Sequence, residues 1–197
     1  MRCDARSEHG PFDIIGDVHG CCDELEGLLV KLGYAPHQPD QPDPLWGDVT
    51  YRHPEGRKAI FLGDLVDRGP RILDTVKLVR NMIVDGHAFC VPGNHEAKVI
   101  KKLRGRNVTI AHGLQNTLDE IEAVPEATRA KFQKELHAFL DSLVSHFVLD
   151  GGRLVVSHAG MPEAFQGRAS RRVRDFALYG DTTGETDEFG LPVRLDW

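Results

Sequence analysis

Four short apolar runs in this 197-residue chain each end in side chains that bind hard cations. The runs are Phe12–Ile15, Ala59–Leu62, Ala88–Val91 and Leu154–Val156. After them come Asp17 and His19, then Asp64, Asp67 and Arg68, then Asn94 and His95, and finally His158. A short apolar run bounded by turn residues reads as a buried strand. Strands that all stop beside oxygen and imidazole donors bring those donors to one edge of a sheet. Gly16, Gly63, Gly93 and Gly160 stand beside them, where the chain has to bend. A single ending of this kind is ordinary turn chemistry, because Asp and Asn favour turns. Four in one chain are a pattern.

Helical patterns separate the runs. Leu25, Leu28, Leu29 and Leu32 predict a helix over Asp23–Leu32, with Asp23 at its N-cap and Gly33 as its stop. Pro36, Pro39, Pro42 and Pro44 mark a loop. A small hairpin is expected over Asp48–Lys58, turning near Pro54–Gly56. Ile72, Val76, Val79 and Ile83 define one face of a helix that starts at Pro70 and runs to Val84. A basic helix follows His95 to about Leu103. The stretch Thr109–Ser145 reads as helical, broken near Pro125. Phe147–Leu149 and Arg153–Ser157 read as strands joined through Asp150-Gly151-Gly152. A short helix over Val173–Leu178 and a loop to Trp197 complete the chain. Strands alternating with helices argue for an α/β layered fold, whose sites lie at the carboxyl ends of strands. The length suits one domain over residues 1–197.

No stretch approaches the roughly 18 apolar residues of a membrane span, and Met1–Pro11 has no apolar leader core. A cytoplasmic location without membrane association is the expectation. Cys3, Cys21, Cys22 and Cys90 form no CxxC pair and read as free thiols. Cys21 and Cys22, beside the proposed ligands, carry a redox-sensitive alternative. The net charge of -6 opposes general nucleic-acid binding. Two basic clusters run against it: Lys98, Lys101, Lys102, Arg104 and Arg106, and Arg168, Arg171, Arg172 and Arg174. Such clusters are commonly solvated faces.

Carboxylate, amide and imidazole donors without thiolate suit Mn²⁺, Fe²⁺, Zn²⁺ or Ni²⁺. Asp64, one strand over from Asp17 and His19, is the candidate to bridge two such ions. Asp17, His19 and Asp64 are expected to hold one, and Asp64, Asn94 and His158 the other. Paired cations about 3.5–4 Å apart activate water and clamp a phosphoryl group. Arg68 offers a planar fork for two phosphate oxygens. His95, directly after a ligand, suits a general acid, with a place among the metal ligands as the lesser alternative, and Asp67 suits the carboxylate that orients it. His112, in the segment after the third cluster, lies where a lid over substrate would lie. His146 reads as structural. Arg171 and Arg172 are candidates for a second phosphate contact.

The clusters in full are Gly16-Asp17-Val18-His19-Gly20, Gly63-Asp64-Leu65-Val66-Asp67-Arg68-Gly69, Gly93-Asn94-His95-Glu96 and Ser157-His158-Ala159-Gly160. In content and order they resemble the signature motifs of the calcineurin-like, phosphoprotein-phosphatase-type metallophosphoesterases. That resemblance implies a β-sandwich flanked by helices, two divalent metal ions with Mn²⁺ as first choice, and phosphoester hydrolysis. Three further stretches resemble the phosphatase module of bacterial polynucleotide kinase-phosphatase, an RNA-repair enzyme: His9–Ile15, Leu73–Arg80 and Phe176–Thr186. This implies removal of 2′,3′-cyclic, 2′- or 3′-phosphates from RNA ends, beside kinase and ligase-like modules in a longer parent protein. The same stretches are similar to small bacterial phosphatases described as diadenosine-tetraphosphate hydrolases, so a nucleotide substrate is the alternative, with a serine/threonine phosphoprotein a further one.

Members of the family continue beyond Leu191-Pro192-Val193-Arg194 into a strand ending in Gly-His, whose histidine completes the second metal site. No such motif follows here before Trp197. The chain therefore reads as C-terminally shortened, with an uncovered sheet edge. A non-catalytic or inactive fragment is the alternative of a different class.

Overall fold

The computed structural model describes residues 3–186, 188 and 192–195. The first half contains strand β1 (Phe12–Ile15), helix α1 (Cys22–Lys31), β2 (Ala35–His37), β3 (Thr50–Arg52), β4 (Lys58–Phe61), α2 (Ile72–Val84) and β5 (Ala88–Cys90). Then come α3 (Asn94–Leu103), α4 (Leu114–Ala123), α5 (Glu126–Ser142), β6 (His146–Leu149), β7 (Leu154–Ser157), α6 (Arg171–Tyr179), β8 (Thr182–Thr186) and β9 (Pro192–Arg194).

Strands β1, β4 and β5 form a parallel sheet with β4 in the middle. Ala59, Ile60 and Phe61 of β4 are all 0% exposed, as a parallel strand covered on both faces requires. On one face, Phe61 and Cys90 pack with Leu25 and Leu29 of α1, Val76 and Val79 of α2 and Val99 of α3. On the other, Ile60 and Val91 pack against Phe147, Leu149 and Val156 of the antiparallel pair β6–β7. Phe89 meets Phe147 edge-on at 5.1 Å between ring centroids. The result is an α/β sandwich of helices, parallel sheet and antiparallel ribbon. Burying one such aromatic or aliphatic side chain contributes about 1.5–3 kcal/mol. The register places Ile15 opposite Phe61 and Phe61 opposite Cys90. The three strands therefore end level, and the residues that follow them emerge at one edge.

Three expectations need correction. Thr50–Arg52 does not fold back on Lys58; it pairs with Ala35–His37, placing Tyr51 opposite Pro36. Lys58–Phe61 is taken by the central sheet because its apolar residues bury there. Proline is tolerated in β2 because a two-stranded ribbon leaves free edges. The helix expected from Thr109 starts only at Leu114, because His112 (φ +58°) and Gly113 (φ +90°) are left-handed and cannot join a right-handed helix. The loop expected after α6 contains the antiparallel pair β8–β9. All five residues of β8 are exposed, so no buried face marked it in the sequence. Residues 187, 189–191, 196 and 197 of that stretch lie outside the described residues. At smaller scale, α1 starts one residue before Asp23, with Cys21 at its N-cap.

His146, in β6, is fully buried. Its Nε2 accepts the Gly167 N–H at 2.9 Å, and burial pushes its pKa below the ordinary histidine value. The folded state therefore binds fewer protons than the unfolded state below about pH 6.5. Its stabilising contribution is complete above that pH and is lost as the pH falls. The stability of His146→Gln to urea, followed from about pH 7 to about pH 5, is expected to decline less than that of the wild type. Parallel declines would remove His146 as the source.

Among the described residues no helix is long and apolar enough to cross a membrane.

Candidate metal centre

The loops after β1 and β4 are zipped together. His19 N–H donates to Asp64 O at 2.8 Å, Gly20 N–H to Leu65 O at 2.8 Å, and Gly69 N–H to His19 O at 2.8 Å. The loop after β5 packs so closely that a Cβ on Gly63 would lie 2.2 Å from Gly93 N, and one on Gly93 2.0 Å from an Asp64 carboxylate oxygen. Among the described residues, six non-glycines have positive φ. Five of them belong to these loops or abut them: His19, Asp64, Asp67, Arg68 and His112. Such conformations cost about 1 kcal/mol or more each, and the interloop bonds hold them.

Asp64 is the hub. Its Oδ2 lies 3.7 Å from His19 Nε2, 3.7 Å from His158 Nε2 and 3.9 Å from His95 Nε2. Its Oδ1 accepts the His95 backbone N–H at 3.1 Å. His19 and His158 are set alike. Nδ1 of His19 bonds Val66 O at 2.8 Å, and Nδ1 of His158 bonds Leu62 O at 2.7 Å. A carbonyl can only accept, so each Nδ1 carries a proton, and in the neutral form of the ring Nε2 is left as an acceptor. Both acceptors face one carboxylate oxygen at a distance too long for a hydrogen bond. Asn94 Oδ1 lies 3.1 Å from His158 Nε2 as well. Acceptors turned on acceptors are what a cation satisfies, so these donors fit divalent ions.

Two triads bring their donor atoms within 4.8 Å of one another: His19, Asp64 and His95, and Asp17, Asp64 and His158. All five expected ligands thus converge. Asp17 and His158 approach Asp64 in one triad and His19 and His95 in the other, and Asn94 joins through its contact with His158. Asp17 is exposed at the mouth of a cavity of about 460 Å³ that it shares with Ile15, Val18, Cys21, Leu25 and Leu28.

His95 differs from the other two imidazoles. Its Nδ1 lies 2.6 Å from Asp67 Oδ2, with both residues buried. That hydrogen bond holds its pKa above the ordinary range, against burial and with help from Asp64. Arg68 is exposed and, among the described residues, forms no ion pair. Its positive charge is felt at His95. His112 is exposed next to Gly113, whose carbonyl accepts the Arg68 N–H at 3.4 Å. Arg171 lies near Asp175 at 3.6 Å, and Arg172 over the Phe165 ring at 5.4 Å. All four cysteines are free, and burial pushes the Cys22 thiol up to about 11, which keeps it protonated.

Sequence reasoning assigned no role to two residues. Glu96 is 0% exposed, and its carboxylate accepts the N–H groups of Gly93, Asp64, Leu65 and Val66 at 2.6–3.2 Å. Burial pushes its pKa up and Asp64 adds to that, while the donors oppose it. A glutamate three residues past a helix start is a capping signal, but nothing in it foretells the bonds to the β4 loop. Thr117 Oγ1 accepts the Asp67 N–H at 3.0 Å, and its hydroxyl donates to Asp67 Oδ1. A threonine on the apolar face of α4, with Leu114 and Ile121, was the available sign.

A sheet edge carrying two imidazole acceptors on a shared carboxylate, beside a carboxylate-held histidine and an exposed arginine, defines a metal-dependent phosphoesterase. The chain belongs to the calcineurin-like phosphoesterase family, which residues 10–182 match. It is 43% identical over 186 residues to a bis(5′-nucleosyl)-tetraphosphatase PrpE [asymmetrical] of Geobacillus sp. (strain WCH70), covering 94% of this chain and 72% of that protein. The protein of the same name from Halalkalibacterium halodurans is 41% identical over 186 residues, with the same coverage. In fold it resembles a protein serine/threonine phosphatase of Saccharomyces cerevisiae, with a TM-score of 0.62 and 17% identity over 98% of this chain. The chain spans 57% of that phosphatase's length.

Proposed function

We propose that the chain hydrolyses bis(5′-nucleosyl) tetraphosphates off centre, giving a nucleoside monophosphate and a nucleoside triphosphate. The chemistry rests on one observation, the two acceptor Nε2 atoms turned on a single Asp64 oxygen. The substrate rests on the names of relatives 43% and 41% identical to it. Those names favour the nucleotide alternative over the RNA-end phosphatase expected first. Asp17, His19, Asp64, Asn94 and His158 would hold two divalent cations, with Mn²⁺ as first choice and Fe²⁺, Zn²⁺ and Ni²⁺ also suited. When bound, the pair supplies Lewis acidity and a lowered pKa for the attacking water.

The remaining steps belong to side chains. Arg68, exposed and without an ion pair among the described residues, offers two parallel N–H groups to the oxygens of the phosphate under attack. His95 donates from Nε2 to the leaving oxygen, while Asp67 fixes Nδ1 and favours the protonated ring.

Removal of a terminal phosphate from RNA is the second reading, and one observation favours it. A polyphosphate leaves as a weakly basic anion and needs little protonation. A ribose oxygen leaves as a strongly basic one, and a histidine held by a buried carboxylate is the acid it needs. The kinase and ligase-like modules of a longer parent protein go with that reading.

Turnover of diadenosine tetraphosphate, an RNA 3′-phosphate and a serine phosphopeptide, measured side by side with Mn²⁺, tests the choice. The tetraphosphate is expected to lead in kcat/KM by at least about tenfold. Preference for the RNA end would install the second reading, and preference for the phosphopeptide a protein phosphatase. Cations bound without any turnover would leave a binding module.

A further inference from the structure

One face of α4 grips the segment from Asp67 to Leu73. Gly113 O accepts the Arg68 N–H. Asn116 Nδ2 donates to Arg68 O at 2.7 Å. Thr117 bonds both the backbone and the carboxylate of Asp67. The Glu120 carboxylate accepts the N–H groups of Ile72 and Leu73 at 2.7 and 2.8 Å, closing the open end of α2. Positions 113, 116, 117 and 120 are spaced three, four and seven apart, which is one helix face.

Thr117 is the inward member of this row. Both it and Asp67 are 0% exposed. Its hydroxyl occupies Oδ1 of Asp67, and the other oxygen of that carboxylate meets His95 Nδ1. A carboxylate held by one oxygen alone can turn about its last bond. Held by both, and tethered through its own N–H, it presents Oδ2 in one direction only. We propose that Thr117 is a positioning residue for proton donation: through Asp67 it sets the orientation and tautomer of the His95 ring. Helix α4 is thereby part of the catalytic unit although it carries none of the four ligand motifs. This rests on the reading of His95 as proton donor.

The test uses the full chain with Thr117→Val, which keeps the shape and removes the hydroxyl, and Thr117→Ser, which keeps the hydroxyl. His95→Gln is the reference. With Mn²⁺, kcat and KM are compared on 4-nitrophenyl phosphate, whose leaving group needs little protonation, and on phenyl phosphate, whose leaving group needs more. Thr117→Val is expected to lower kcat on phenyl phosphate about tenfold more than on 4-nitrophenyl phosphate, with KM unchanged, and Thr117→Ser to restore it. Equal losses on the two substrates would overturn the proposal in favour of a structural role.

A second readout needs no turnover. In ¹H–¹⁵N spectra of the metal-free protein, the hydrogen-bonded His95 Nδ1–H signal, identified by its loss in His95→Gln, should persist in Thr117→Ser. It should broaden away in Thr117→Val, and an unchanged signal there would overturn the proposal. If His95→Gln itself shows no dependence on the leaving group, the proton-donor reading fails, and the spectra still decide whether Thr117 holds the ring.

Discussion

Asp64→Asn is expected to remove both cations and to lower turnover by at least about a thousandfold. Asparagine is the informative replacement because Asp64 has φ +49°. Asparagine tolerates that conformation, whereas alanine would add backbone strain to the loss of the ligand. The substitution keeps one oxygen and removes the charge that the Nε2 atoms of His19 and His158 face at 3.7 Å. In the metal-free protein, with the two rings in their neutral forms, those acceptors and the carboxylate repel one another. Metal-free Asp64→Asn should therefore unfold at a temperature no lower than the metal-free wild type. At a hundredfold excess of Mn²⁺ over Kd the wild type should gain about 2.7 kcal/mol for each ion bound, and the variant nothing. Metal analysis and calorimetry on the two proteins check this. Two equivalents of metal retained by Asp64→Asn, with turnover, would end the assignment of Asp64 as the shared ligand.

Glu96→Ala is expected to cost the most stability of any single change at this site. It strips the partner from four backbone N–H groups, those of Gly93, Asp64, Leu65 and Val66. Each buried donor left unpaired costs about 1–3 kcal/mol. Even with relaxation, a loss on the order of 4 kcal/mol is large against the roughly 5–15 kcal/mol that holds a domain together. Glu96→Gln keeps one carbonyl oxygen but turns an amide NH₂ on donors, so it should recover only part of the loss. Urea unfolding of the three proteins gives the ranking. A cost below about 1 kcal/mol for Glu96→Ala would mean that water replaces the carboxylate and that the loops need no glutamate.

The converging donors were legible because they follow strands, and strands are written in short apolar runs. Ala59–Phe61 could only be a strand covered on both faces, and the residues after it could only emerge at the sheet edge. The ribbon β8–β9 was not legible, since exposed threonines carry no burial signal. Thr50–Arg52 reads as a strand, but which partner it takes depends on where Lys58–Phe61 goes. The delayed start of α4 turns on the left-handed pair His112–Gly113, whose carbonyl is claimed by Arg68.

The sequence alone determined the kind of chemistry available here, because the number and order of oxygen and imidazole donors after apolar runs are local facts. Tertiary structure alone decided how those donors group about Asp64, and that His95 is held by a carboxylate while His19 and His158 are held by carbonyls. It also decided that Glu96 and Thr117 serve loops about 30 and 50 positions earlier in the chain. The physical reason is that a side chain's type travels with the chain. The partner that fixes its proton, its direction and its charge is supplied by whichever distant segment packing brings beside it.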